Sequence, residues 1–310
     1  MHLGIVVVYA VPPAYERMLD LHLRQIDRHT AVPHTIFGCL VRASEAAADR
    51  LRTHPRVGLL AGVPTTARGS GEHSHYLDQL ASAAIDAGVT HVVTLHVDSF
   101  PIHGDWVGRL VGRVSSQCPV VTGAGVHSSC LLFEREFYLR TRPAFAPDDE
   151  VCGEPRFQAC VRERGFVQHS GVGLAVQACL EGRSVALLTP EPVPGSVATI
   201  YDNCVFHLGG GLKSIPAEGE ESQAYRLARG GALRAAGRIV RAIVPSRVRQ
   251  VMRERLGREL MAQYNINRAE SSRVRTRREM ERALADPDTY LASVLAAVRP
   301  PGAGATTARS

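Results

Sequence analysis

Three short apolar runs separated by two helical stripes open the chain, and this alternation restricts the fold more than any other feature. Gly4 to Ala10 (GIVVVYA), His34 to Val41 (HTIFGCLV) and Arg56 to Leu60 each read as a buried strand. Between the first two, Tyr15 to His29 sets Met18, Leu19, Leu21, Leu23 and Ile26 on one helical stripe. Between the last two, Ser44 to Thr53 is Ala-rich, with Ser44 as its N-cap. A β-α-β-α-β order predicts a parallel sheet covered by helices. No GxGxxG follows the first strand, which argues against a dinucleotide-binding Rossmann unit. At 310 residues the chain has room for one large domain and an appendage.

The segment Val89 to Trp106 (VTHVVTLHVDSFPIHGDW) is where such a sheet would carry chemistry. Val92-Val93-Thr94-Leu95 reads as a strand buried on both faces, and His96, Asp98 and Ser99 follow it at once. Pro101 would stop the strand, and Asp105 would cap a helix entered at Trp106. Ligands of open α/β sheets bind beyond the carboxyl ends of the strands. An imidazole and a carboxylate at such an end are placed to share a divalent cation. A solvated strand end with a polar turn accounts for the same residues.

An apolar strand, an acidic motif, a Pro and a Trp at a helix start resemble the central segment of the GT-A glycosyltransferases, family 2 in particular. The resemblance implies a three-layer α/β/α domain with a mainly parallel central sheet, here over residues 1–215. It implies a Mg2+ or Mn2+ ion held by an acidic pair, and a nucleoside diphosphate sugar held by that ion. This chain has His96-Val97-Asp98, an imidazole standing in place of the first acid, and imidazole suits Mn2+ better than Mg2+.

The same resemblance assigns further roles. The Gly-rich stretch 61–76 (AGVPTTARGSGEHSHY) would lie over the nucleotide, Arg68 meeting a phosphate while Gly69 and Gly71 admit close backbone approach. It leads into a helix expected from Tyr76 to Ala87. Glu72, His73 and His75 would lie at its start, near the same pocket. His73 and His75 would diverge, because residues two apart do not share a helix face. Tyr9 and Ala10, ending the first strand, would border the nucleobase. Past the expected strand Cys118 to Gly125, His127, Ser128 and Ser129 would face the acceptor.

In residues 147–166 (PDDEVCGEPRFQACVRERGF) a turn rich in acids precedes a helix ended at Gly165. The resemblance makes Glu154 the general base, with Asp149 and Glu150 as competitors; the helix dipole alone also favours acids there. In VFHLGGGLKS (205–214), His207 would complete the metal site, the glycines would let the loop close, and Lys213 would meet phosphate.

Hydrophobic residues at 45% and charged residues at 21% are ordinary for a soluble globular chain. No run approaches membrane-spanning length, and the apolar start reads as a strand and not a leader. Seven cysteines, never in a CxxC pair, point to reduced thiols in a cytoplasm, against a disulfide framework or a zinc knuckle. The net charge of +6 belongs to the C-terminal part, where Glu221 to Arg282 holds 16 Arg against 6 Glu. Apolar residues recur there at spacings of three and four, so 216–298 is expected as a basic amphipathic helical extension and 299–310 as a disordered tail. The stripe fits packing on the catalytic domain or in a homodimer, and secondarily peripheral contact with an anionic membrane. Scarce aromatic residues argue against nucleic acid as a partner.

Taken together, the resemblance over these segments implies a cytoplasmic, metal-dependent glycosyltransferase moving a sugar, with inversion, from a nucleoside diphosphate to a hydroxyl or amine of an acceptor. A sugar-nucleotide nucleotidyltransferase would want a basic Gly-rich loop after the first strand, which VYAVPPAYER lacks. A catalytically inactive GT-A-like binding domain is suggested by the missing first acid.

Overall fold

The computed structural model describes residues 1–11, 13–67, 70–123, 125–167, 169–209 and 275–298. In chain order its elements begin with β1 (Leu3–Tyr9), α1 (Glu16–His29), β2 (His34–Leu40), α2 (Glu45–Thr53), β3 (Val57–Leu59) and α3 (Ser70–Asp86). The centre holds β4 (His91–Leu95), β5 (Ser99–Pro101), α4 (Trp106–Val111), β6 (Val120–Gly123), β7 (His127–Glu134) and α5 (Arg135–Thr141). There follow α6 (Asp149–Gly153), α7 (Pro155–Arg164), α8 (Val172–Leu180), β8 (Val185–Leu188), β9 (Pro190–Pro192), β10 (Thr199–Tyr201) and β11 (Val205–His207). Two C-terminal helices, α9 (275–285) and α10 (Pro287–Ala297), complete it.

Seven strands form one mixed but mainly parallel sheet in the order β3-β2-β1-β4-β7-β6-β8, and only β7 runs against the rest. The apolar β1 lies inside it, between β2 and β4, and is buried along its whole length because both faces are covered. Ile5, Val7 and Tyr9 face a layer made by α1, α2 and the C-terminal helices. Val6 and Val8, on the alternate side, face α3, α7 and α8. The result is three layers, α/β/α.

Several local expectations hold and several are corrected by tertiary contact. The Ser44 hydroxyl accepts the Ala47 N–H at 3.1 Å, as a cap should. Asp105 stands at the start of α4 but makes no side-chain cap; its carboxylate takes Arg109 instead, at 2.8 Å. Helix α3 begins at Ser70, six residues before the expected Tyr76. Its polar first turn is held from outside: Arg42 clamps Glu72 through two hydrogen bonds of 2.9 Å, and His73 Nδ1 lies 3.3 Å from Ser170 Oγ. Packing, more than propensity, stabilises such a turn.

A larger difference lies before Pro101: the strand expected to run up to it ends at Leu95, and Pro101 ends a separate short strand. That strand, β5, is the edge of a second, antiparallel sheet in the order β5-β11-β10-β9, and an edge is where a strand tolerates proline. The ladder pairs Ser99 with His207, Phe100 with Phe206 and Pro101 with Val205.

The described end of the C-terminal extension packs on this body. Met280, Ala283 and Leu284 of α9 and Tyr290, Leu291 and Val294 of α10 share one core with α1 and the second sheet. Asp286 caps α10 by accepting the Thr289 N–H, and Pro287 occupies its first turn. The Arg-rich stripe Ala224–Tyr264, the tail 299–310, Arg68, Gly69 and Lys213 lie outside the described residues. No described helix is long and apolar enough to cross a membrane, and all seven cysteines are free thiols.

Candidate metal centre

Three separate strands carry donors to one place. Strand β4 ends at Leu95, so His96 emerges at its carboxyl end, beside β1 and at the point where the strand order reverses. Because β7 runs antiparallel to β4, with Cys130 opposite Leu95, its first residues His127 and Ser128 arrive at the same end. The β5–β11 ladder brings His207 opposite Ser99, and the Asp98 carbonyl accepts the Leu208 N–H at 3.0 Å. Ser99 ties the turn down: its hydroxyl accepts the His96 N–H at 2.7 Å and donates to the Ser129 carbonyl at 2.7 Å.

One ligand atom from each of His96, His127 and His207 lies within 4.8 Å of the others, a group that could hold a metal ion. Asp98 Oδ1 is 3.9 Å from His96 Nδ1 and 4.0 Å from His207 Nε2. An ion about 2.0–2.2 Å from each ligand sets neighbouring donors roughly 3–4 Å apart. Three imidazoles and a carboxylate therefore fit a divalent cation after a small contraction, and their chemistry suits a transition ion.

Two further observations support that fit. A ligating imidazole keeps its remote nitrogen on a fixed partner. Here His96 Nε2 lies 3.0 Å from Ser128 Oγ, whereas His127 Nδ1 accepts the Ser129 N–H at 3.2 Å. Burial lowers the His207 pKa to about 4, so its ring is neutral at pH 7 and offers a lone pair.

Two more histidines border this group. The His73 ring meets His96 edge-on at 4.9 Å, and His169 lies 6.0 Å from His127. His75 turns away, as its spacing from His73 requires, and its Nε2 lies 2.8 Å from the Val63 carbonyl oxygen.

Of the residues singled out in the sequence, His96, Asp98 and His207 come together here. His127, expected to face the acceptor, joins the metal group, while Ser128 and Ser129 support its rings. Tyr9 does not offer its ring to the opening; it is fully buried against His22, with ring centroids 5.8 Å apart. Ala10 is partly exposed beside it. Asp149 is exposed on α6, and Glu154 is exposed where α6 meets α7. Among the described residues neither makes a hydrogen bond to the histidines. Nothing in the sequence marked His169, which lies outside every helical or strand period; only its imidazole is suggestive.

No protein-family model matches the chain, and no curated protein matches it. Among solved structures, it is similar to a mannosyltransferase from Pyrobaculum calidifontis in complex with GDP-Man and Mn2+, at 14% identity. That alignment covers 96% of this chain and 76% of the other, with a TM-score of 0.42. The likeness is distant, and the functional reading rests on this chain's own residues.

Proposed function

We propose that the chain is a metal-dependent glycosyltransferase of the GT-A kind, moving a sugar from a nucleoside diphosphate donor to a hydroxyl or amine. The carrying observation is the convergence of Asp98 with His96, His127 and His207 at the carboxyl end of the central sheet. That location is where open α/β sheets bind their ligands. A bound divalent ion would supply Lewis acidity and a template for the leaving diphosphate. With imidazoles predominating among the donors, Mn2+ is favoured over Mg2+.

The chain's residues then divide the work. Asp98, His96, His127 and His207 set the geometry in which the diphosphate is held. Buried neutral His207 contributes no positive charge that would repel a cation. Arg68 and Lys213 are assigned to the phosphates, and Ala10 to the border of the nucleobase. Transfer with inversion needs a base on the acceptor hydroxyl, in line with the anomeric carbon. Glu154 is assigned that role, with Asp149 as its competitor. Residues 1–215 would form the catalytic unit and 216–298 its helical extension, in a cytoplasmic setting.

Thermal melting with UDP-, GDP- and dTDP-sugars, with and without Mn2+, tests the reading. One donor should raise the midpoint only in the presence of the ion, and slow donor hydrolysis should accompany it. If no nucleotide sugar produces a metal-dependent shift, the reading is wrong.

A further inference from the structure

One aromatic residue stands behind two of the three imidazoles. Tyr201 ends β10, where Asp202 and Asn203, at φ of 47° and 52°, turn the chain tightly into β11. That turn pairs Tyr201 with Val205 and Thr199 with His207, leaving the Tyr201 ring diagonal to His207 across the ladder. The two rings stack, with centroids 6.1 Å apart and planes within 18°. The Tyr201 hydroxyl lies beside Ser129, whose Oγ is 2.9 Å from His127 Nδ1. Thus one side chain touches one imidazole by its face and reaches another through a hydroxyl.

The third observation comes from the far side. Gly123 ends β6 beneath the phenol, where a Cβ would come within 2.9 Å of Tyr201 Cε1 and Cζ. Real Cβ atoms do not approach so closely, so the absence of a side chain at Gly123 makes the room the ring occupies. Tyr201 is itself buried at 6% exposure, wedged between the two sheets and unable to swing away.

We infer that Tyr201 is a positioning residue of the metal centre, fixing the plane of His207 so that its ring presents a lone pair to the ion, and holding Ser129 against His127. The inference rests on the metal-binding reading above. It assigns Gly123 as the residue that seats the ring, and Ser129 as the link to His127. Removal of such outer support typically lowers metal affinity about 10–100-fold while leaving the ligands in place.

Titration of the purified full-length chain with Co2+, followed by its visible absorption, tests this without any catalytic assay. Tyr201→Phe keeps the stack and loses the hydroxyl; Co2+ affinity should fall about tenfold with little change in the metal-free melting midpoint. Tyr201→Leu loses both contacts, and Gly123→Ala presses on the ring from behind. Each should weaken binding toward about a hundredfold and alter the Co2+ band. If the Tyr201 variants that remain folded bind Co2+ with wild-type affinity and an unchanged band, the inference is overturned and the metal centre stands. If the wild-type chain takes up no Co2+, the metal centre is overturned and this inference with it.

Discussion

Asp98 Oδ1 stands 4.0 Å from His207 Nε2 although 109 positions separate the two residues in the chain. A backbone ladder delivers this contact: β5 and β11 pair Ser99 with His207, and the Leu208 N–H closes on the Asp98 carbonyl. Side-chain attraction is not what brings them together, since His207 is held neutral by burial. The scaffold therefore places a carboxylate and imidazoles side by side through its backbone pairing alone.

Asp98→Asn should accordingly keep the shape of the site and lose most of its affinity for cations. A ligand present at a hundred times its Kd stabilises a folded chain by about 2.7 kcal/mol. Wild-type protein should show a rise of that order with Mn2+ in thermal or urea unfolding, and Asp98→Asn should show almost none. An equal Mn2+ response in the variant would remove Asp98 from the centre.

Much of the scaffold was legible because its signals are long or repeated. The seven apolar residues of β1 and the stripe of α1 leave little choice of fold, and His96-Val97-Asp98 at a strand end marks the place where the imidazoles gather. The second sheet was hidden because its strands are three residues each, one of them Pro-Glu-Pro, too short to display a period. His127 could be placed at the start of a strand, but its role depended on strand direction. Only an antiparallel β7 puts that start at the carboxyl end of β4. The early start of α3 was obscured for a related reason, since Arg42 and Ser170, which hold its first turn, come from distant parts of the chain.

Acid should weaken the fold through a buried histidine. His22 of α1 is fully buried, its Nδ1–H donating to the Ser99 carbonyl at 3.1 Å, while its Nε2 is buried without a hydrogen-bond partner among the described residues. Burial pushes its pKa down to about 3, with the neighbouring His54 adding to the effect and the Ser99 bond opposing it. The unfolded chain takes up this proton near pH 6.5 and the folded chain only near 3, so the unfolded state binds more protons between those values. Stability is thus complete above pH 6.5 and is lost progressively as pH falls through the window. The slope contributed by this one group approaches about 1.4 kcal/mol per pH unit. Urea midpoints measured from pH 8 to pH 4 should fall less steeply in His22→Leu than in wild type, even though the variant is weaker at pH 8. Parallel curves would show that His22 does not carry the effect.

Tyr290 tests whether the C-terminal helices belong to the same cooperative unit. Its ring meets Phe206 edge-on at 6.1 Å, and Phe206 stacks on Phe100 at 5.0 Å, on the strand pair that also carries His207. Its hydroxyl donates to the buried Glu279 at 2.8 Å. Tyr290→Ala should cost about 3–5 kcal/mol, as aromatic truncation in a core does. Tyr290→Phe should cost about 1–3 kcal/mol through the donor lost to Glu279. A single urea transition shifted by these amounts is the expected result; a separate early transition for the helices, with the main one unmoved, would place them outside the unit.

His96 stands where the resemblance implies an acidic residue, and that exchange should set the choice of ion. Mg2+ takes oxygen ligands and dehydrates reluctantly, whereas imidazole favours transition ions. With three imidazoles and one carboxylate the wild-type centre should respond to Mn2+ and Co2+ in thermal melting and hardly at all to Mg2+. His96→Asp replaces a nitrogen donor by a hard oxygen beside Asp98, and it also removes the ring that His73 and Ser128 contact. Two adjacent carboxylates repel each other unless a cation lies between them, so the variant should be less stable without metal and gain more from Mg2+. Its Mg2+ affinity should rise on the order of tenfold as its Co2+ affinity falls. An unchanged preference among the three ions in His96→Asp would mean that His96 borders the centre without ligating, leaving Asp98, His127 and His207 to hold the cation.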